Sequence, residues 1–297
     1  MRRPILLRQT VATYPVEPVA DDAWLAIAFR AFARLAERGR IRDVLILGTG
    51  NGLDALAALE IFDPEALTVT DLFEECLSVA RENVLAHLED GAATEIDFVA
   101  GDLLAAVPPT TRVDLVYENL PNIPTTPEVE LERGVNTGRF FDATGLDVPE
   151  RFDAHLLALH WRCLRDAWAH VRPGGGVLTA LGGRVPVEVA LELHRERGYD
   201  PELVAFDVKL QSEPALVLPG YGVAEQATGI EFTFYASEAV EIVSAARASG
   251  LDGEDLRGAV SPELERLAIS AREAERRFES GQDVAHSVLL IHGRKPG

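Results

Sequence analysis

The sequence predicts an α/β fold in which a mostly parallel sheet carries helices on both faces. Three observations predict it. Val44-Leu45-Ile46-Leu47 is a short, wholly apolar run ending in glycines, the pattern of a strand covered on both sides. Similar runs recur at Leu67–Thr70, Ile96–Ala100, Val113–Tyr117, Val177–Leu181 and Leu203–Leu210, with helical patterns between them. That alternation implies right-handed crossovers and parallel neighbours. Finally, 297 residues that are 47% hydrophobic and 26% charged form a globular chain with ample material for a core.

Residues 1–40 read as an amino-terminal cap segment. Pro4, Pro15 and Pro18 keep its start irregular. Asp21 or Asp22 caps a helix that reaches about Arg38 and is closed by Gly39, with Leu25, Phe29, Phe32 and Ala36 on one face. Trp24 on this helix belongs to the core or roofs a ligand. The main domain spans 41–297. Leu53–Ile61 and Phe73–Leu88 are predicted helices, Asp153–Val171 one long helix, and Val185–Arg197 another. Pro173-Gly174-Gly175-Gly176 marks a turn. Residues 213–285 read as an insertion before the last strand. In it Glu213–Gly229 is loop-like, Glu231–Tyr235 a strand, Ser237–Ser249 a helix, and Ser261-Pro262-Glu263 the start of a further helix with Leu264, Leu267, Ala268, Ala271 and Phe278 on its stripe. Its amphipathic helices form a lid or a homodimer face. Ser287–His292 closes the sheet.

The charge balance limits the partners. With 28 basic and 48 acidic residues the net charge is −20, which repels nucleic-acid phosphates and anionic lipid. No nucleic acid and no membrane is expected. Two cysteines, Cys76 and Cys163, are too few for a disulfide framework and suit a cytoplasmic protein. The amino terminus lacks the long apolar stretch of a secretory signal. The seven histidines show no metal-ligand spacing, and no metal is expected.

The sharpest constellation is Gly48-Thr49-Gly50-Asn51-Gly52, between a strand and a helix. Glycines there let the backbone turn tightly and approach a ligand. Asp71, followed by Leu72, lies 19 residues beyond Gly52 at the end of the second strand, where a carboxylate can accept ribose hydroxyls. Asp102, followed by Leu103, ends the third strand and can accept an adenine N–H. A dinucleotide fingerprint reads Gly-x-Gly-x-x-Gly. The tighter spacing here favours a nucleoside without a pyrophosphate and points to S-adenosylmethionine.

Val44 to Asp54 resembles the first motif of class I S-adenosylmethionine-dependent methyltransferases, and Asp71 and Asp102 match that family's ribose and adenine positions. The resemblance implies a Rossmann-like sheet of seven strands, six parallel and one antiparallel. Where the family has an acidic residue, this chain has Ile46. Glu118-Asn119-Leu120-Pro121-Asn122 resembles the Asn-Pro-Pro-Tyr motif of release-factor glutamine and other amino-directed methyltransferases. Tyr14-Pro15-Val16-Glu17-Pro18 is similar to that group's segment before the core. Asn119, with the Leu120 carbonyl, would hold an acceptor nitrogen facing the methyl, and Pro121 would stiffen the loop. Asn122 replaces the tyrosine and suggests a more polar acceptor pocket. Arg139, Phe140 and Phe141 are further candidates for lining it.

These residues predict a methyltransferase acting on a small molecule or peptide, with a nitrogen acceptor. A glutamine methyltransferase acting on a protein partner, a nicotinamide-dependent oxidoreductase and a non-catalytic nucleoside-binding module remain alternatives.

Overall fold

The computed structural model describes residues 6–10, 13, 24–88, 93–124 and 147–297. At the centre of the sheet lies β1 (Asp43–Leu47), whose four apolar residues are almost wholly shielded from solvent. Burying each such side chain contributes roughly 1.5–3 kcal/mol, which explains why so short a strand is stable. Parallel to it run β2 (Ala66–Asp71) and, on the other edge, β4 (Val113–Glu118). β3 (Glu95–Ala100) extends the sheet beyond β2, and β5 (Val171–Gly182) beyond β4, both parallel. β6 (Asp200–Leu210) joins only through the last strand, β9 (Val284–Arg294), which runs antiparallel to both β5 and β6. The order β3-β2-β1-β4-β5-β9-β6 is the expected seven-stranded sheet, with β9 the reversed strand.

Two short strands bring the total to nine. β7 (Phe234–Ala236) pairs with β9 at Val284 and Ala285, on the edge that β5 leaves at Val288, and β8 (Ala268–Ile269) pairs with β7. The 213–285 region therefore prolongs the sheet past the carboxyl end of β5.

Alternation along the strands separates two apolar layers. Val44, Ile46, Leu115 and Tyr117 face α1 (Trp24–Arg38) and α2 (Leu53–Phe62), with Phe32 edge-on to Tyr117 at 4.9 Å. Leu45, Leu47 and Val116 face the opposite layer, which holds α5 (Ala158–Ala167) and α6 (Val187–Glu196). α3 (Glu74–His87) follows β2. Arg30 on α1 donates to Asp207 on β6 at 2.9 Å and to Asp252 at 3.1 Å, anchoring the amino-terminal helix to the far side of the sheet.

Several local expectations are corrected. Asp153–Val171 is not one helix: α4 (Glu150–Ala154) and α5 are separated at Leu156, which takes φ +63°, and the break lets Phe152 and Trp161 pack at 5.0 Å. The Pro173–Gly176 stretch is not a turn but part of β5. Glu213–Gly229 is helical, as α7 (Pro214–Thr228). Pro214 sits in its first turn, where a missing N–H costs nothing, and tertiary contacts override the local penalty of Pro219 and the glycines. The helix placed at Ser261 starts earlier: α9 (Gly253–Leu267) is capped by Asp252, and Pro262 lies inside it. The stripe drawn through Phe278 is divided by β8, and Ser270 caps a separate α10 (Ala271–Glu279). α8 (Glu238–Ala248) forms where expected. Caps at Asp21 or Asp22, the Trp24 side chain, Tyr14–Pro18, and Arg139, Phe140 and Phe141 lie outside the described residues.

Candidate functional site

The carboxyl ends of β1, β2, β3 and β4 converge on one rim of the sheet, where ligands of open α/β sheets bind. The loop after β1 is built from left-handed turns: Gly48, Gly50 and Gly52 have φ of +68°, +57° and +85°. Only glycine adopts these without strain. A Cβ on Gly52 would stand 3.0 Å from the Ala80 Cα, so this glycine also sets the spacing of α2 and α3. A Cβ on Gly50 would meet nothing within 4 Å.

Asp71 fastens this loop to the next. Its Oδ2 accepts the Gly50 N–H at 2.9 Å and its Oδ1 the Phe73 N–H at 3.0 Å. Burial raises its pKa, and these backbone donors oppose the rise. The Leu72 N–H also donates to this carboxylate, which offers roughly four acceptor sites, so some capacity remains for a ligand hydroxyl. Leu72 beside it is exposed. The Thr49 N–H bonds the Thr70 carbonyl at 3.1 Å. Asn51 is turned inward: its Oδ1 accepts the Leu53 N–H, and its carbonyl accepts Asn83 Nδ2 at 2.8 Å. At the end of β3, Asp102 is ion-paired with Arg162 of α5 at 2.7 Å and keeps half of its side chain exposed. Leu103 takes φ +48°, a strained value for leucine at the rim.

The fourth-strand motif meets the glycine loop directly. An ideal Gly48 Cβ would lie 3.6 Å from Leu120 Cδ2. Asn119 is half-buried, Leu120 buried, Pro121 half-buried and Asn122 buried. Asn122 does not present its amide nitrogen to a pocket: Nδ2 donates to the Gly182 carbonyl at 3.0 Å, and its own carbonyl accepts the Tyr221 hydroxyl at 2.9 Å.

A wall stands beside it. Arg184, 4% exposed, follows β5 and donates through Nε and Nη2 to Gln211 Oε1, at 3.1 and 2.6 Å. Its guanidinium lies 5.2 Å from the Tyr221 ring centre and 5.7 Å from that of Phe234. A Cβ on Gly182 would collide with Arg184 Nη1 and would sit 3.4 Å from Asn122 Oδ1, so the guanidinium and the Asn122 amide are neighbours. Both rings come from the insertion, through α7 and β7.

No family model matches the chain. The release factor glutamine methyltransferase of Deinococcus radiodurans is 29% identical over 201 residues, 66% of this chain and 64% of that protein. That of Cereibacter sphaeroides is 34% identical over 149 residues, 47% of this chain and 46% of that protein. The matched region thus spans less than two thirds of these relatives. Among solved structures, the ribosomal protein L11 methylase of Lactobacillus delbrueckii aligns with a TM-score of 0.37 at 17% identity, over 61% of this chain and 71% of that one. The strand order with its reversed β9 is the sheet that the resemblance to class I methyltransferases implies.

In this sheet Ile46 is fully buried between Val69 and Tyr117 and offers no polar group. The acidic side chain inside the loop comes instead from Asp54 on α2. It is 3% exposed, accepts the Thr49 hydroxyl at 2.6 Å, and is pushed up to about 7 by burial, partly offset by that hydrogen bond. Sequence reasoning gave no role in the site to Asp54, Glu118, His160 or Arg184. Asp54 had a local signal, an acid two residues after the last glycine. The other three owe their positions to contacts distant in sequence. No helix among the described residues is long and apolar enough to cross a membrane.

Proposed function

We propose that the chain transfers a methyl group from S-adenosylmethionine to the side-chain nitrogen of a glutamine presented by a protein partner. The observation that carries this reading is the packing of the glycine loop against Leu120, which sets the Asn119–Asn122 motif at the edge of the nucleoside cradle. The cradle fits such a cofactor: Gly50 faces open space, and Asp71 keeps acceptor capacity beyond its three backbone donors. The glycines admit the nucleoside, Asp71 takes the ribose, and Leu72, Asp102 and Leu103 border the base. Thr49, Asn51 and Asp54 keep the loop in shape.

When bound, the cofactor supplies an electrophilic methyl on a sulfonium sulfur. The chain's part is to aim the acceptor. The Asn119 side-chain oxygen and the Leu120 carbonyl accept the two N–H groups of a carboxamide, leaving the nitrogen lone pair facing the methyl. Holding reactants in line can supply most of the acceleration. Pro121 fixes the loop, and Asn122 ties it to β5. The relatives' names support a protein glutamine over the small-molecule acceptor that the sequence alone favoured.

A second reading has its own observation. Among the described residues, Arg184 has no carboxylate within ion-pair distance although it is buried beside Asn122. A small acceptor bearing a carboxylate would complete that charge.

Calorimetry with S-adenosylhomocysteine and with NAD tests the cofactor class, and binding of NAD alone would overturn it. Purified release factor incubated with S-adenosylmethionine should gain one methyl on glutamine by mass spectrometry. Asn119→Ala should slow this about 10²-fold, with cofactor affinity little changed. Wild-type turnover by that variant would remove Asn119 from the reaction. A wild-type enzyme that binds cofactor, ignores release factor and methylates small carboxylate-bearing amines would establish the second reading.

A further inference from the structure

Glu118 ends β4 immediately before Asn119, and its side chain is wholly buried. A buried carboxylate is costly unless it is paired and hydrogen-bonded. Here the partner is His160 on α5, also wholly buried, whose Nδ1 lies 2.9 Å from Oε1 and 3.0 Å from Oε2. Oε2 has a second duty: it accepts the Leu120 N–H at 3.2 Å. The other imidazole nitrogen, Nε2, has no hydrogen-bond partner among the described residues. Around the pair stand Cys163 on α5, Thr179 on β5 and His194 on α6. Burial, then the Glu118 charge, pushes the Cys163 thiol well up. His194 is occupied elsewhere, its Nδ1 with the Ala190 carbonyl at 2.9 Å and its Nε2 with the Thr179 hydroxyl at 3.1 Å.

Apolar residues would fill this space at less cost, since replacing a buried ion pair by well-packed hydrophobic groups is often neutral or stabilising. An apolar residue could not, however, hold the Leu120 N–H. That N–H belongs to the peptide joining Asn119 to Leu120, so fixing it fixes the plane that carries both Cα atoms and with it the origin of the Asn119 side chain; the Leu120 carbonyl lies one ψ rotation further on, a rotation that the following Pro121 restricts.

We propose that Glu118 and His160 form a buried positioning couple: His160 holds the carboxylate, the carboxylate holds the Leu120 N–H, and the acceptor-binding groups of Asn119 and Leu120 are thereby set before the acceptor arrives. The couple touches neither acceptor nor cofactor, and it rests on the methyl-transfer reading above.

The test uses the full chain with Glu118→Leu, Glu118→Gln and His160→Gln. Each is assayed for S-adenosylhomocysteine affinity, for kcat and KM toward release factor, and for the Leu120 amide signal in ¹⁵N-labelled protein. Glu118→Leu should shift the Leu120 amide, leave cofactor affinity within about threefold, and lower kcat about 10²-fold with little change in KM. Glu118→Gln, which keeps an acceptor for the Leu120 N–H, should recover at least about tenfold of that loss. If Glu118→Leu fails to fold, His160→Gln, which leaves Glu118 in place, should lower kcat with KM and affinity kept. Unchanged kcat in a folded variant whose Leu120 amide has shifted would overturn the couple alone. Wild-type protein that binds cofactor but methylates nothing would overturn the functional reading and the couple with it.

Discussion

The Thr49 hydroxyl donates to the Asp54 carboxyl at 2.6 Å, and both side chains are buried beneath the glycine loop. Ile46, two residues before the loop, is apolar, and the buried acid beneath the loop is this carboxyl on α2. Burial makes its charged form expensive, and Thr49 stabilises whichever form can accept a hydrogen bond.

Asp54 therefore makes stability depend on pH. An unfolded aspartate ionises near pH 4, whereas the folded one keeps its proton to about 7. The folded chain binds more protons across that window, so stability falls as pH rises from about 4 to about 7. With a pKa raised from 3.8 to about 7, this term is about 4 kcal/mol, at about 1.4 per unit. Asp54→Asn keeps the acceptor for Thr49 and removes the titration. Its urea midpoint should exceed that of wild type near pH 8 and match it near pH 4. A variant less stable than wild type near pH 8 would show that the charge is compensated.

Three histidines, His194 and His286 buried and His292 partly so, act in the opposite sense. Burial lowers His194 and His292 to about 4 and His286 well below its usual value. Below about pH 6.5 the unfolded chain takes up protons that the folded chain refuses, so stability is lost as pH falls. His194 alone accounts for about 3 kcal/mol at about 1.4 per unit. His194→Gln should reduce the pH dependence of unfolding between about pH 4 and 6 by close to one proton, measured by denaturant midpoints. An unaltered slope would mean that His194 titrates normally.

Gly52 and Gly50 separate packing from ligand space. Gly52→Ala combines φ +85° with a Cβ 3.0 Å from Ala80, and should cost about 3 kcal/mol in urea unfolding. Gly50→Ala carries only the strain of φ +57°, about 1–2 kcal/mol. Its Cβ enters the open side of the loop, and S-adenosylhomocysteine should bind roughly tenfold or more weakly, about 1.4 kcal/mol. Full affinity in Gly50→Ala would place the nucleoside elsewhere.

Arg184→Met should raise stability by about 1–2 kcal/mol, because it replaces a buried cation lacking a described carboxylate partner with an apolar chain of similar length. A loss above about 2 kcal/mol in thermal unfolding would reveal an internal counter-charge. If a carboxylate-bearing acceptor is the substrate, the same variant should raise its KM at least tenfold, about 1.4 kcal/mol, with cofactor affinity unchanged.

Legibility followed distance along the chain. Val44–Leu47 reads as β1 because a fully apolar tetrapeptide before glycines has few other places to go. Gly48, Gly50 and Gly52 read as left-handed turns that only glycine makes cheaply, and Asp252 and Ser270 show the same locality in hindsight, each accepting a backbone N–H at a helix start. α7 was illegible for the converse reason. Pro214, Pro219, Gly220 and Gly222 argue against a helix, and only packing of Val217, Leu218 and Tyr221 into the core supplies the compensating burial.

The site divides along the same line. The half proposed to hold the cofactor is written in one short stretch and two strand ends, because a glycine's conformational freedom and a carboxylate at a strand terminus are properties of single residues. Its acceptor half is not. Glu118 meets His160 across 42 positions, Asn122 meets Tyr221 across 99, and Arg184 acquires its aromatic walls from an insertion whose first stretch reads as loop. What a buried charge or amide can do depends on which partners the packed chain brings within hydrogen-bond reach, and those partners are chosen by the packing of α5 and α7 beside β4 and β5, not by neighbours in sequence.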